Sequence, residues 1–286
     1  MTLDIIIPIY NKEKNILNIY NKINDELKNI KHKFIFIDDY SNDKSLEILK
    51  NIYSNDEENV KIISLSKTHG KDTSIYVGLK NSKHELVCIY DMELQANVSH
   101  ISKMTEFIIN NSQYDQVCMY SNLQLKGFEK IKNNSINKIL DLDFDINKTY
   151  YRVMKRNVVD AVIQMSNNYR FSKYIFELIG FNTYYLKFEC RNNITNISFK
   201  KLYSYSNNPL NIIKYISYLL LSITFALLVI SILNIFTVSN NVILLFLFLF
   251  NTTILFLTSI ICNCKNKDNK TCYLIREKIG FDENYL

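Results

Sequence analysis

Residues 86–90 form a short apolar run, Leu-Val-Cys-Ile-Tyr, and the acidic residues Asp91 and Glu93 follow it at once. An apolar run of this length indicates a strand that is buried on both faces, as in a parallel sheet covered by helices. Ligands of open α/β sheets bind beyond the carboxyl ends of such strands. The two carboxylates could share one Mg²⁺ or Mn²⁺ that binds the diphosphate of a nucleotide. Taken alone, an Asp-x-Glu pair fits a solvated turn better than a metal site.

The sequence before residue 121 alternates between apolar runs and amphipathic segments. Strands are predicted at 3–10, 34–37, 60–65, 86–90 and 116–120, with helices between them. This alternation predicts a mainly parallel sheet covered by helices on both faces. Acidic, Asn-rich and Gly-Lys loops follow the strands and should meet at one edge of the sheet, where nucleotides bind. Each loop also fits a purely structural role, with Ser41 or Asp43 as a helix cap and Gly70 as a turn.

Charge and cysteine content narrow the function classes. The 34 Lys and Arg exceed the 28 Asp and Glu, which suits an anionic membrane surface or a phosphorylated substrate but is too small an excess to indicate nucleic acid. The six cysteines show no repeated metal-binding spacing, so free cytosolic thiols are expected rather than a zinc site. The N-terminal segment contains Asp4 and lacks a small-residue cleavage site, which argues against a cleavable signal peptide.

Two long apolar segments, 212–236 and 242–262, lie in the C-terminal third. Each has about the 20 residues that a helix needs to cross a bilayer. The segments are apolar on all sides, which favours membrane helices over buried core helices. Lysines lie outside the pair on both sides, at Lys200, Lys201, Lys265, Lys267 and Lys270, and Lys214 lies near the start of the first segment. Because the connection at 237–241 carries no charge, both termini are predicted to be cytoplasmic.

Several motifs occur in a fixed order along the chain: Pro8-x-Tyr10-Asn11-x-Glu13, Asp38-Asp39-x-Ser41-x-Asp43, Gly70-Lys71 and Asp91-x-Glu93-Leu94-Gln95. Together they resemble one known family, the family 2 inverting glycosyltransferases of GT-A fold. The sequence is most similar to the polyprenyl-phosphate branch, which includes dolichol-phosphate mannose synthase and the bactoprenol glucosyltransferases. The similarity continues through residues 151–161 and 180–181. It implies an α/β fold with a GT-A-type, mainly parallel sheet flanked by helices, followed by two C-terminal transmembrane helices.

The resemblance also implies roles for individual residues. The nucleotide would be bound by Pro8, Tyr10, Glu13, Asp38, Asp39, Gly70 and Lys71. Asp91, Glu93 and Gln95 would hold Mg²⁺ or Mn²⁺ and, through it, the diphosphate. Arg152, with Lys200 and Lys201, would face the acceptor phosphate, a task that suits a planar guanidinium with parallel donors. The catalytic residues would then be Asp91, Glu93 and Arg152.

The sequence departs from the family pattern at two informative positions. Glu93 stands where the family has Asp, and because the carboxylate is kept, altered metal geometry is expected rather than loss of the metal. Tyr150 stands where the family has an acidic residue, so a catalytic or orienting carboxylate is missing. A hydroxyl acceptor would need such a base, whereas a phosphate monoester is already ionised at neutral pH. A polyprenyl phosphate acceptor is therefore expected.

The predicted organisation is a cytoplasmic catalytic domain at 1–205, two membrane helices within 206–264 and a short cytoplasmic tail at 265–286. The predicted protein is a multi-pass, metal-dependent enzyme of the cell membrane that transfers a sugar from a nucleotide-sugar donor to a polyprenyl-phosphate lipid acceptor. A homo-oligomer is compatible with this prediction. Two alternatives remain open: a catalytically weak relative that binds a nucleotide sugar or a partner, and an enzyme that acts on a polysaccharide.

Overall fold

The computed structural model describes residues 1–94, 97–122, 145, 147–166, 171–188, 218–223, 249–255, 257 and 273–281. The chain divides into two units. The first comprises Met1–Leu125, Phe144–Ile197 and Lys270–Leu286, and the second comprises Lys126–Asp143 and Ser198–Asn269. The described residues of the second unit are helical. Every strand given below belongs to the first unit.

The first unit contains one sheet and the helices that cover it. The strands are β1 Leu3–Ile9, β2 His32–Asp38, β3 Val60–Leu65, β4 Leu86–Ile89, β5 Gln116–Ser121, β6 Lys148–Lys155, β7 Thr183–Phe188 and β8 Ile275–Ile279. The helices are α1 Ile16–Glu26, α2 Ser45–Asn55, α3 Lys71–Asn81, α4 Ser99–Asn110, α5 Arg156–Met165 and α6 Ile175–Leu178. A 3₁₀ turn, Met92–Leu94, follows β4.

The sheet is mixed, with the strand order β7-β5-β6-β4-β1-β2-β3-β8. Strands β4, β1, β2 and β3 are parallel neighbours, as the alternation of strands and helices predicted. Strand β6 is antiparallel to both β4 and β5, β7 is parallel to β5, and β8 is antiparallel to β3. The carboxyl ends of the four central parallel strands therefore meet at one edge, as expected.

Both faces of the sheet are buried, which explains why the strands are apolar without alternation. Successive side chains of β1 point to opposite faces. Ile5 and Ile7 belong to one core cluster with residues of α1, α2 and α4, and Ile6 belongs to a second cluster with residues of α3 and α5. Each of these three isoleucines is fully buried. The two-sided core holds β1 firmly in the middle of the sheet.

Helix α3 lies directly on β1 through a glycine. A Cβ atom added at Gly78 would lie 2.3 Å from Cγ2 of Ile6, so only glycine permits this approach. The helix begins at Lys71, immediately after Gly70, whose φ of 90° is a left-handed value that other residues rarely adopt. The contact between Gly78 and Ile6 and the turn at Gly70 together fix the start of α3 at the edge of the sheet.

The C-terminal segments differ in how much the structure describes. Most of the apolar segments predicted at 212–236 and 242–262 lies outside the described residues. Within the part of the chain that is described, no helix is both long enough and apolar enough to cross a membrane. The tail predicted at 265–286 contains β8, which pairs with β3 and completes one edge of the sheet. Its charged residues Arg276, Glu277 and Lys278 suit an edge strand.

Candidate active site

A cavity of about 260 Å³ opens at the carboxyl ends of the central parallel strands. Its lining residues come from the segments that follow β1, β2, β3 and β4, and they are Pro8, Ile9, Tyr10, Lys12, Asp39, Thr68, Gly70, Lys71, Ser74, Asp91, Met92 and Glu93. The structure therefore brings together Pro8, Tyr10, Asp39, Gly70, Lys71, Asp91 and Glu93 among the predicted site residues. Five further lining residues were not predicted from the sequence: Ile9, Lys12, Thr68, Ser74 and Met92.

The segments that follow β1 and β2 are tied to each other by hydrogen bonds. The Asn11 N–H donates to Ser41 Oγ (3.0 Å), and the Glu13 N–H donates to Asp43 Oδ2 (3.1 Å). The Glu13 carboxylate accepts a bond from the Lys44 N–H (3.0 Å). Glu13, predicted to bind the nucleotide, thus braces one loop against the other and is not among the described residues that line the cavity.

The adjacent residues Asp38 and Asp39 have different surroundings. Asp38 is buried and accepts bonds from Ser64 Oγ (2.9 Å) and the Ser41 N–H (3.1 Å), so it ties β2 to β3. Asp39 lines the cavity and accepts bonds from the N–H groups of His69 and Gly70, both at 2.7 Å. Burial raises the pKa of Asp39, and the two N–H donors only partly offset that rise. Asp39 therefore fixes the loop that leads into α3.

Lys71 bridges the two acidic residues that follow β4. Its ammonium nitrogen lies 2.5 Å from Asp91 Oδ1 and 2.7 Å from Glu93 Oε2. Burial would lower the pKa of Lys71, but the charges and hydrogen bonds of the two carboxylates outweigh it and the pKa is raised. Burial would raise the pKa of Glu93, but the charge and hydrogen bond of Lys71 and the charge of Lys12 outweigh it, so the pKa is lowered. The sequence placed Lys71 with the nucleotide and did not predict this bridge.

The donor set at this point fits a divalent cation. Asp91 and Glu93 supply hard carboxylate oxygens, and the ammonium of Lys71 shows that their oxygens already converge on a positive charge. No group of three or more His, Cys, Asp or Glu side chains is placed to hold a metal ion among the described residues. Two carboxylates are enough for Mg²⁺, which commonly completes its coordination with substrate phosphates and water. Gln95, the third predicted ligand, lies outside the described residues.

Arg152 is buried inside the sheet, with 1% of its surface exposed. Its Nη1 donates to Gln116 Oε1 (3.1 Å) and its Nη2 to the Thr149 carbonyl (2.7 Å). The guanidinium also lies over the ring of Phe176 at 3.8 Å. These contacts link β6, β5 and α6, and Arg152 does not line the cavity. Its predicted contact with the acceptor phosphate would require those bonds to be exchanged, and Lys200 and Lys201 lie outside the described residues.

A carboxylate does lie next to Tyr150, although none was predicted from the sequence. The Tyr150 hydroxyl donates to Asp72 Oδ1 at 2.5 Å, and Asp72 directly follows Lys71 in the first turn of α3. Lys173 is close to this pair: burial lowers its pKa to about 8, the charge of Arg152 acts in the same direction, and Asp72 opposes it. Because Asp72 and Tyr150 are 78 positions apart, local sequence patterns give no sign of their contact.

The architecture and the sheet-edge cavity define a mixed α/β protein of the GT-A-like class. A solved structure with this fold is glucosyl-3-phosphoglycerate synthase from Mycobacterium tuberculosis, in complex with Mn²⁺, uridine diphosphate and phosphoglyceric acid. It aligns with a TM-score of 0.50 and 13% identity over 73% of this chain and 76% of that one. The likeness concerns the fold alone. The chain belongs to glycosyl transferase family 2, whose family model matches residues 4–204, and this confirms the resemblance seen in the motifs.

Relatives of known sequence agree with this assignment. A putative glycosyltransferase of Bacillus subtilis (strain 168), CsbB, is 32% identical over 214 residues, which are 71% of this chain and 64% of that protein. The undecaprenyl-phosphate 4-deoxy-4-formamido-L-arabinose transferase of Aeromonas hydrophila is 25% identical over 169 residues, 56% of this chain and 51% of that protein. The matches to these two relatives thus span between half and two thirds of the relatives' own lengths.

Proposed function

We propose that this glycosyltransferase transfers a sugar from a nucleotide-diphosphate donor to a polyprenyl phosphate, with inversion at the anomeric carbon. The observation that carries the proposal is the cavity at the carboxyl ends of β1–β4, which gathers Asp39, Lys71, Asp91 and Glu93. Its position is the one in which open α/β sheets bind nucleotides. Its aromatic and apolar lining from Pro8, Ile9 and Tyr10 offers a surface for the nucleoside, and its charged side lies at the end of β4.

The donor diphosphate would lie on the charged side of the cavity. Asp91 and Glu93 would hold Mg²⁺ or Mn²⁺, which neutralises charge on the diphosphate and makes it a better leaving group. Lys71 and Lys12 line the same cavity and supply further positive charge. Asp39 keeps the segment from His69 to Lys71 in place through two N–H bonds, so the Lys71 side chain starts from a fixed backbone.

A phosphate monoester is the acceptor that we propose, because it can react without a catalytic base. Its second pKa is about 6, so an ionised oxygen is available at neutral pH to attack the anomeric carbon while the bond to the donor diphosphate breaks. The protein then needs mainly to position the acceptor rather than to remove a proton. The Aeromonas hydrophila relative is named an undecaprenyl-phosphate transferase, and this name supports a polyprenyl acceptor.

The proposed enzyme is membrane-bound, with the catalytic domain and both termini in the cytoplasm. Support comes from the sequence at 212–236 and 242–262, which is apolar and flanked by lysines. A lipid acceptor would reach the enzyme from the same membrane. The cytoplasm is also the compartment that holds nucleotide sugars, so donor and acceptor would meet at the inner surface.

The proposal is tested by incubating the purified full chain in detergent with radiolabelled uridine- and guanosine-diphosphate sugars, undecaprenyl phosphate and Mn²⁺. We expect label in the organic phase, and we expect chelator or Asp91→Asn to abolish it. Asp25→Asn is the matched control, because among the described residues Asp25 forms only an exposed surface pair with Lys28. Transfer to a soluble saccharide with none to lipid phosphate contradicts the acceptor. Tight nucleotide binding without any transfer supports a catalytically weak relative instead.

A further inference from the structure

Lys71 occupies the position between the two carboxylates that would hold a metal ion. Its ammonium contacts Asp91 Oδ1 and Glu93 Oε2 at the same time. The two partners differ in freedom, because the Asp91 side chain is 5% exposed and that of Glu93 is 57% exposed. Asp91 is held further by the Glu93 N–H, which donates to the same Oδ1 atom at 3.1 Å. The bridge thus joins one fixed carboxylate to one carboxylate that has room to move.

The ammonium and a divalent cation cannot use these oxygens together. Mg²⁺ binds carboxylate oxygens at about 2.0–2.1 Å, and an ammonium hydrogen-bonded to the same atoms would then face a double positive charge at very short range. Metal binding therefore requires Lys71 to leave at least one of its two partners. The cost of that step is large, since hydrogen bonds between charged groups are among the strongest in proteins.

Lys71 has an alternative partner within the same cavity. Its side chain is flexible and lines the cavity in which the donor diphosphate is proposed to lie. With the metal absent, Asp91, Glu93 and Lys71 together carry one net negative charge, which disfavours an anion. With a divalent ion bound and Lys71 still present, the same group carries one net positive charge, which favours a diphosphate.

We propose that Lys71 is the resident cation of this site: it holds Asp91 and Glu93 in the place of a metal ion and moves to the nucleotide diphosphate when the metal enters. This inference rests on the proposed donor site and is independent of the acceptor. It makes metal and nucleotide binding cooperative, because each ligand lowers the cost that the other meets, and by linkage the effect is reciprocal. The metal alone must displace Lys71, whereas the diphosphate offers the displaced ammonium a new partner.

The test is a titration of the full chain with Mn²⁺, followed by the electron paramagnetic resonance of free Mn²⁺, with and without uridine diphosphate. Lys71→Met removes the competitor, so Mn²⁺ alone should bind about tenfold or more tightly than to the wild type, as expected for the loss of one charged hydrogen bond. Uridine diphosphate should strengthen Mn²⁺ binding clearly in the wild type and much less in Lys71→Met.

Two further variants make the result specific. Lys12→Met is the matched control, because Lys12 lines the same cavity and acts on Glu93 through its charge alone, whereas Lys71 also donates a hydrogen bond. It should change Mn²⁺ affinity far less than Lys71→Met does. Lys71→Gln keeps a hydrogen-bond donor without the charge and serves as the second test if Lys71→Met loses its native circular dichroism.

Every outcome decides the inference. Unchanged or weaker Mn²⁺ binding in the Lys71 variants overturns it, as does equal strengthening by uridine diphosphate in wild type and variant. If neither wild type nor variants bind Mn²⁺ with the nucleotide present, the donor-site assignment fails together with the inference. If the coupling is observed but no sugar reaches a lipid phosphate, the role of Lys71 stands and only the proposed acceptor is wrong.

Discussion

Arg152 shows how the surroundings of a residue decide its role. A buried guanidinium normally has a carboxylate partner. Among the described residues, Nη1 and Nη2 of Arg152 instead donate to the neutral oxygens of Gln116 and Thr149, Nε has no hydrogen-bond partner, and the face of the guanidinium lies over the ring of Phe176. The sequence identifies an arginine that could bind phosphate, and it gives no sign that the side chain would point into the core. That outcome depends on the pairing of β6 with β5, which no local pattern determines.

Arg152→Met should therefore destabilise the fold. The substitution leaves Gln116 Oε1 and the Thr149 carbonyl without their donor, and we expect the free energy of unfolding to fall by about 2–4 kcal/mol. Urea unfolding followed by circular dichroism measures this change. Arg276→Met on the exposed face of β8 is the matched control and should alter stability by less than about 0.5 kcal/mol. If Arg152→Met kept full stability but lost sugar transfer, the result would support the predicted role of Arg152 at the acceptor phosphate.

The lowered pKa of Lys173 predicts that the free energy of unfolding depends on pH. Burial lowers its pKa to about 8, below the ordinary value of 10.5, so between these values the unfolded chain binds more protons than the folded chain. Stability contributed by this group should then rise as pH increases from 8 to 10.5. Subtracting the unfolding free energy of Lys173→Met from that of the wild type at each pH isolates the effect. A flat difference across this range would contradict the lowered pKa.

At the scale of elements, the apolar runs were sufficient to predict β1 to β5 and the parallel direction of the central strands. Two-sided burial leaves a strong signal, because nearly every residue of such a strand is apolar. Strand β6 contains Lys148, Thr149 and Arg152, and β8 is mostly charged, so neither has that signal. The cavity was predicted because its loops follow strands that have this signal. The bridge made by Lys71 and the contact of Asp72 with Tyr150 were not predicted, because they depend on how α3 docks on β1.

Gly78→Ala should disturb that docking. The added Cβ would lie 2.3 Å from Ile6 Cγ2, and we expect a loss of about 1–3 kcal/mol in the free energy of unfolding from overpacking. Ile6→Ala removes the atom concerned, so the double variant should lose less than the sum of the two single variants. Strict additivity in thermal or urea unfolding would show that α3 is not seated on β1 in this way.

At the scale of the whole molecule, the membrane prediction concerns the segments at 212–236 and 242–262. In a background without native cysteines, Ser239→Cys should react with an impermeant thiol reagent added to intact cells, because the connection between the two segments would lie outside. Asn284→Cys should react only after the cells are opened. Reaction of both cysteines in intact cells would contradict two crossings, and reaction of neither would place the connection inside.

Strand β8 limits the path that the chain can take between residues 188 and 275. β8 forms an edge of the same sheet in which β1, β2 and β3 pair, so the chain must come back to the compartment from which it departed. Any membrane crossings in that interval are consequently even in number. The strand also means that the segments before it cannot be removed together with the rest of the C-terminus without damage to the sheet. Ending the chain before residue 275 would remove the antiparallel neighbour of β3 and expose the unpaired backbone groups of β3. For the membrane-bound enzyme that we propose, a soluble form is better sought by replacing part of the chain between residues 188 and 275 with a short linker than by truncation.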